Sequence, residues 1–119
     1  MTCIDRRHEL RTAALSLLLL AAQGATAQGV PEPRQFELVR MVRQDCGSCH
    51  GMRLTGGLGP ALTREALADK PVEGLAATIF QGRPGTPMPG WRAMLSVAES
   101  LWIAEQLMSG FPEERRAAR

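Results

Sequence analysis

The stretch Asp45-Cys46-Gly47-Ser48-Cys49-His50-Gly51 spaces two thiols three residues apart and puts an imidazole directly after the second. On a helix, that spacing sets the two sulfurs one turn apart on a single face. Three chemistries use such a pair. A structural zinc site takes four Cys and His ligands. Thiol–disulfide exchange uses C-x-x-C with a lowered thiol pKa. Covalent haem attachment uses C-x-x-C-H, with two thioether bonds to the vinyl groups and the imidazole beneath the iron.

Choosing among them depends on which other Cys and His residues the working protein keeps. The chain has 119 residues. Its start carries Arg6, Arg7 and Arg11, then an uncharged apolar run from Thr12 to Ala22, then Ala25-Thr26-Ala27 as a small-residue cleavage site. This is the layout of a secretory signal peptide over residues 1–27, and the apolar run is shorter than the roughly 20 residues that span a bilayer. The expectation is an exported, periplasmic protein with no membrane anchor after cleavage. Cys3 and His8 leave with that segment, so Cys46, Cys49 and His50 are the remaining thiols and imidazole. Zinc then lacks a fourth ligand within one chain. An oxidising compartment allows a Cys46–Cys49 disulfide, but so short a loop gains little stability. Exchange chemistry would also call for a βαβ setting, and no segment alternates with period two. Haem attachment agrees with every clue.

After residue 27 the charges are eleven basic against ten acidic, which argues against a nucleic-acid partner, since that needs a basic face. Residues 28–33 read as a flexible lead-in, 34–111 as one domain and 112–119 as a solvated tail. The elements that must hold the motif are helical, so the fold class is all-α. Arg34 to Asp45 reads as an amphipathic helix, with Phe36, Val39 and Val42 as its stripe. The segment "RLTGGLGPAL" is loop. Thr63 to Ala68 is a short helix capped by Thr63. Pro71 opens a third helix with Leu75, Ile79 and Phe80 on one side, closed by Gly82. "RPGTPMPGW" is irregular loop. Ser96 and Glu99 form a capping box for the last helix, whose expected stripe is Val97, Leu101, Ala104 and Met108. A domain of about ninety residues has little core of its own, and a buried cofactor would add apolar volume.

The sixth position on the iron comes next. With no second histidine, a methionine thioether is the alternative, from Met41, Met52, Met88, Met94 or Met108. Met52 lies too close to His50 to cross to the other face of a planar ring. Met94 and Met108 read as core positions. Met88 stands between Pro87 and Pro89, which exclude it from a helix interior and stiffen the loop that presents it. The metal ligands are therefore read as His50 and Met88, with Met94 the alternative to Met88.

The order "CGSCH", Gly59-Pro60, Met88-Pro89, then a capped terminal helix resembles the class I cytochromes c, over about Phe36 to Leu107. The resemblance implies a fold of helices wrapped around one haem c. It also implies that Pro60 offers its carbonyl to the Nδ1–H of His50, and that the first and last helices cross, with Phe36 or Val39 meeting Leu101 or Trp102. "CHGMRLTGGLGPALT" and "GRPGTPMPGW" are similar to the small periplasmic cytochromes c55X of denitrifying bacteria and to the haem c domain of cytochrome cd1 nitrite reductase. That likeness implies a monomeric periplasmic carrier of single electrons. Its partners would be periplasmic redox proteins, cytochrome cd1 nitrite reductase among them, in nitrite respiration or in maturing the reductase's haem d1. Two filled axial positions leave no room for a substrate, so no enzyme is expected. Trp91, beside the ligand loop, could reach a haem propionate through its indole N–H. Arg53, Arg83 and Arg92 could form a basic rim. Two other readings stay open: a five-coordinate haem sensor, and the electron-transfer subunit of another periplasmic oxidoreductase.

Overall fold

A computed structural model describes residues 29–112. The expected signal peptide, with Cys3 and His8, and residues 113–119 of the expected tail lie outside the described residues. Every regular element among the described residues is helical, and none is long and apolar enough to cross a membrane.

The first helix, α1, spans Glu32–Met41. It starts two residues before the position that the apolar pattern gives. Pro31 is its N-cap, and a proline in the first turn loses no hydrogen bond there, since those N–H groups have no partner within the helix. Gln35 Nε2 donates to Val30 O at 2.7 Å and ties the entry strand of chain back onto the helix. The helix does not stop at Asp45. It widens into one π-helical turn over Val42–Cys46 and returns to α geometry as α2, Gly47–His50. Such turns occur mostly as local bulges inside α-helices, frequently at functional sites. Gly51, with φ of +85°, then ends the run; a residue with a Cβ would be strained there.

Three helices follow. α3 (Arg64–Leu67) is capped by Thr63, whose Oγ1 accepts from Ala66 N at 3.3 Å. α4 (Val72–Gln81) begins after Pro71 and ends at Gly82 with φ of +77°. α5 (Val97–Ser109) opens with the expected capping box: Glu99 N donates to Ser96 Oγ at 3.1 Å, and Ser96 N to Glu99 Oε2 at 2.6 Å. α3 and α4 both pack against α5.

The core joins Leu38 and Val42 of the first helical run to Leu54, Leu67, Leu95, and Ile103 and Leu107 of α5. Two expected stripes are displaced. Phe36 is exposed and Leu38 is fully buried in its place. Val97 is 66% exposed, and the buried face of α5 is Ser100, Ile103, Ala104 and Leu107. Apolar residues surround both helices closely enough to offer two stripes each, so packing decides which one is covered. Met94, expected in the core, is 52% exposed.

Arg34 ties α1 to the start of α5. Its Nε donates to Glu99 Oε1 at 2.5 Å, its Nη2 to Met94 O at 3.1 Å, and its Nη1 pairs with Glu37. Glu99 therefore closes the capping box with one oxygen and holds Arg34 with the other.

Candidate functional site

Cys46, Cys49 and His50 stand at the C-terminal end of the first helical run, where the last carbonyls have no partner along the helix. The glycine-rich loop that follows supplies those partners. Gly59 N donates to Cys49 O and Gly56 N to His50 O, both at 2.8 Å, while Gly57 N donates to Gly59 O at 3.0 Å. The loop is anchored in the core by Leu54, 2% exposed and carrying a φ of +61°, an unusual conformation for a leucine. Leu54 N donates to Gly51 O at 2.7 Å and Leu54 O accepts from Leu62 N at 2.8 Å.

His50 is buried, and its Nδ1 lies 2.7 Å from Pro60 O. A carbonyl only accepts, so Nδ1 carries the proton and Nε2 keeps its lone pair. Nε2 makes no hydrogen bond to a described residue. Gly59 lets the loop lie against the ring: a Cβ there would stand 2.8 Å from Cε1 and 2.9 Å from Nδ1.

The two cysteines are free thiols, Cys46 half-buried against the core and Cys49 exposed. Burial, and after it the charge of Asp45, pushes the Cys46 thiol up to about 11. Exchange-active thiols are shifted the opposite way, so the environment of Cys46 does not favour that chemistry. Among the described residues no three His, Cys, Asp or Glu side chains gather into a metal site.

A covalently bound haem fits these residues on three observations. Two free sulfurs stand on a helix end, the His50 imidazole keeps one nitrogen without a hydrogen bond to a described residue, and the absence of a side chain at Gly59 lets the loop lie against that ring.

Met88 is half-buried, on the loop between α4 and α5. The base of that loop is sewn to the end of α4: Trp91 N donates to Ile79 O at 3.1 Å, Arg92 N to Phe80 O at 3.2 Å, and Arg83 N to Met88 O at 3.2 Å. Inside it, Thr86 Oγ1 donates to Arg83 O at 2.7 Å and lies 3.3 Å from Met88 N. Trp91 packs against the core, and its indole makes no hydrogen bond to a described residue. Arg53, Arg83 and Arg92 are exposed.

Two features had little sequence signal. Arg43, in the π-helical turn, is buried; its guanidinium donates to Phe111 O, Pro112 O and Met52 O and lies over the Phe111 ring. It locks the turn before Cys46 to both the segment after the motif and the end of the domain. The other is the close approach of Gly82 and Gly90 at the base of the Met88 loop. A cleft of about 290 Å³ between Arg43, Leu62, Arg64 and Phe111 is lined also by Arg53 and by none of the residues predicted to hold a haem.

The chain is similar to known proteins. The profile of the family described as cytochrome C oxidase, cbb3-type, subunit III matches residues 37–105. A cytochrome c55X from Stutzerimonas stutzeri is 48% identical over 108 residues, covering 90% of this chain and 96% of its own length. A dihydro-heme d1 dehydrogenase from Pseudomonas aeruginosa is 35% identical over 101 residues, which are 85% of this chain but 19% of that protein. The solved structure of a c-type cytochrome NirC is 54% identical, with a TM-score of 0.66, covering 67% of this chain and 94% of the other.

Proposed function

The chain belongs to the c-type cytochromes, with the cytochromes c55X among its relatives, and we propose that it is a periplasmic carrier of single electrons holding one haem through Cys46 and Cys49, with His50 and Met88 as the axial ligands. The observation that carries this reading is the His50–Pro60 hydrogen bond at the end of the motif helix, which leaves Nε2 free. Bound there, haem c supplies a one-electron couple between ferrous and ferric iron.

The chain's own residues prepare that couple. Pro60 O fixes the tautomer and the orientation of His50, as hydrogen bonds behind a ligating histidine do. The glycine loop satisfies the carbonyls of Cys49 and His50, so the helix end stays closed while both sulfurs are committed to thioethers. Met88 presents a soft thioether, which favours ferrous iron and raises the potential relative to a second imidazole. If His50 and Met88 both held the iron, no position would be left for a substrate, and the protein would act as a carrier rather than an enzyme.

The pathway we propose is denitrification, with cytochrome cd1 nitrite reductase as the partner, either receiving electrons or being matured. This reading is supported by the relatives named cytochrome c55X, and by the similarity to part of a protein whose name places it in haem d1 chemistry. The full chain, exported alongside haem-attachment machinery, should give a haem-staining band and a ferric spectrum with the weak sulfur–iron band at the red end. Met88→Ala should keep the stain, lose that band and lower the potential, whereas Met94→Ala should change neither. A band that survives in Met88→Ala removes Met88 as the ligand. Deleting the gene separates the two roles: nitrite reductase lacking haem d1 means maturation, and a fully loaded reductase starved of electrons means donation. A reductase normal in both respects rules out the pathway.

A further inference from the structure

At the base of the loop that presents Met88, two glycines meet backbone to backbone. A Cβ on Gly82 would stand 2.5 Å from Gly90 N, 2.7 Å from Pro89 C and 2.9 Å from Met88 O. A Cβ on Gly90 would stand 2.7 Å from both Gln81 C and Gln81 O and 2.9 Å from Phe80 O. Every one of these neighbours is backbone, so no side chain can swing aside to make room. The contact lets the end of α4 and the returning chain close to hydrogen-bond distance, where Trp91 N and Arg92 N take the carbonyls of Ile79 and Phe80. What remains of the loop hangs from this closure, with the Thr86 hydroxyl bridging Arg83 O and Met88 N inside it.

We infer that Gly82, Gly90 and Thr86 are positioning residues for the Met88 thioether. The glycine contact sets where the loop leaves the body of the protein, and Thr86 sets the backbone of Met88 within it. The inference rests on the reading of Met88 as an axial ligand. A thioether is a weak, neutral ligand, so its hold on the iron depends on how little freedom its loop has to leave. Restricting that freedom at the loop base makes the sulfur a better competitor against external ligands without adding any contact to the sulfur itself.

The test is imidazole titration of the ferric holoprotein, read from the visible spectrum, with the red-end sulfur–iron band as the second readout. Gly90 has no left-handed φ, so Gly90→Ala introduces the steric contact alone, and it should tighten imidazole binding roughly tenfold or more. Thr86→Val sits on an exposed loop and should tighten binding about fivefold or more, since the hydrogen bonds to Arg83 O and from Met88 N are both lost with the hydroxyl. Gly85 is the control: it has the same φ of +77° as Gly82, but a Cβ there meets nothing within 4 Å. Gly85→Ala strains the loop without touching its base, and imidazole affinity should stay within about twofold of the parent.

Unchanged affinity and an intact band in Gly90→Ala would overturn the role of the glycine contact. An effect in Gly85→Ala equal to that in Gly90→Ala would trace it to loop strain and overturn it equally. If Gly90→Ala yields no holoprotein, unchanged affinity in Thr86→Val overturns the proposal. Met88→Ala keeps the two readings apart. If it retains the sulfur–iron band, the ligand reading has failed; if it loses the band while Gly90→Ala keeps it, only the positioning role has failed.

Discussion

The loop after the motif and the loop that carries Met88 are held in opposite ways. The loop after the motif, Gly51 to Pro60, is fastened along its length. Its N–H groups cap Cys49 O and His50 O, its last carbonyl holds the imidazole, and Leu54 plants its middle in the core. The loop around Met88 is fastened at its base, by three backbone hydrogen bonds and a glycine contact, and inside by one hydroxyl. Pro84, Gly85, Thr86 and Pro87 are all exposed. The difference means that the histidine belongs to the fold, whereas the methionine is mounted on it. Loss of the core should take His50 with it, while Met88 should be able to leave with the core intact, since regions with few buried contacts open locally at low cost.

Cysteine removal gives the largest effect. Cys46→Ala or Cys49→Ala should leave little folded holoprotein. In a domain this small the covalently held ring adds apolar volume that the side chains lack, and binding free energy becomes folding free energy. A haem-stained gel beside a circular dichroism melt of the apoprotein checks this. A cooperatively melting apoprotein would show that the loop after the motif stays ordered by its own hydrogen bonds, and the comparison would then rest on the polypeptide alone.

Gly59→Ala tests the fastened side directly. Its Cβ would stand 2.8 Å from the His50 ring, so the ring or the loop must shift. The expected cost is about 1–3 kcal/mol of global stability, the range for overpacking, with the thermal midpoint falling and the sulfur–iron band lost only as the protein unfolds. Gly90→Ala should do the reverse, moving the band more than the midpoint. If both variants lower only the midpoint, the two loops are equally part of the fold and the contrast fails.

The fastened loop is also the one more legible in the sequence. C-x-x-C-H followed by Gly-Pro has a local mechanism, and the structure puts Pro60 O on His50 Nδ1 as the resemblance implies. The capping box of α5 and the Thr63 cap were readable for the same reason, because each involves residues three apart. Long-range choices were not. The run from Met41 into the motif depends on Arg43 reaching Phe111 and Pro112, nearly seventy residues away, and no local pattern signals that. Phe36 and Val97 satisfied a helical period, yet the cluster that formed uses Leu38 and Ile103, since the period leaves the choice of face to tertiary packing. The Gly82–Gly90 contact left a trace, two glycines flanking Met88-Pro89, but their distance across the loop is a tertiary fact.

Arg34 and Glu99 belong to neither loop and supply a reference for what tying α1 to α5 contributes. The hydrogen bond from Arg34, and after it the one from Ser96 N, holds the Glu99 carboxyl below the ordinary carboxylate range, and the Arg34 guanidinium is raised in turn. A carboxyl with a lowered folded-state pKa contributes stability that is present above its unfolded value and is lost as pH falls through the folded value. Glu99→Gln should therefore cost stability near neutral pH and little in acid. Arg34 is 32% exposed and Glu99 17%, so solvent screening limits the difference to about 1 kcal/mol. Denaturant titrations of the two proteins at neutral and acid pH measure it. A gap that widens in acid would contradict the assignment, and an altered sulfur–iron band would mean that this tie reaches the Met88 loop.

The smallest effect concerns partners. Arg83 and Arg92 flank the base of the Met88 loop, both exposed and without an ion pair among the described residues. Unpaired guanidinium groups beside the less fastened loop would steer an acidic partner toward that side rather than toward the glycine-rich one. Steering acts on the encounter and is screened over roughly 10 Å at moderate ionic strength. The rate of electron exchange with the partner should fall as salt rises, and Arg83→Gln should lower it about twofold at low salt and leave it unchanged at high salt. Arg53→Gln, on the loop after the motif, should have a weaker effect. Stopped-flow mixing across an ionic-strength series measures all three proteins. If Arg53→Gln slows the exchange more than Arg83→Gln, the partner approaches over the fastened loop. The looser mounting of Met88 would then have no bearing on docking and would matter only for how firmly the iron keeps its sixth ligand.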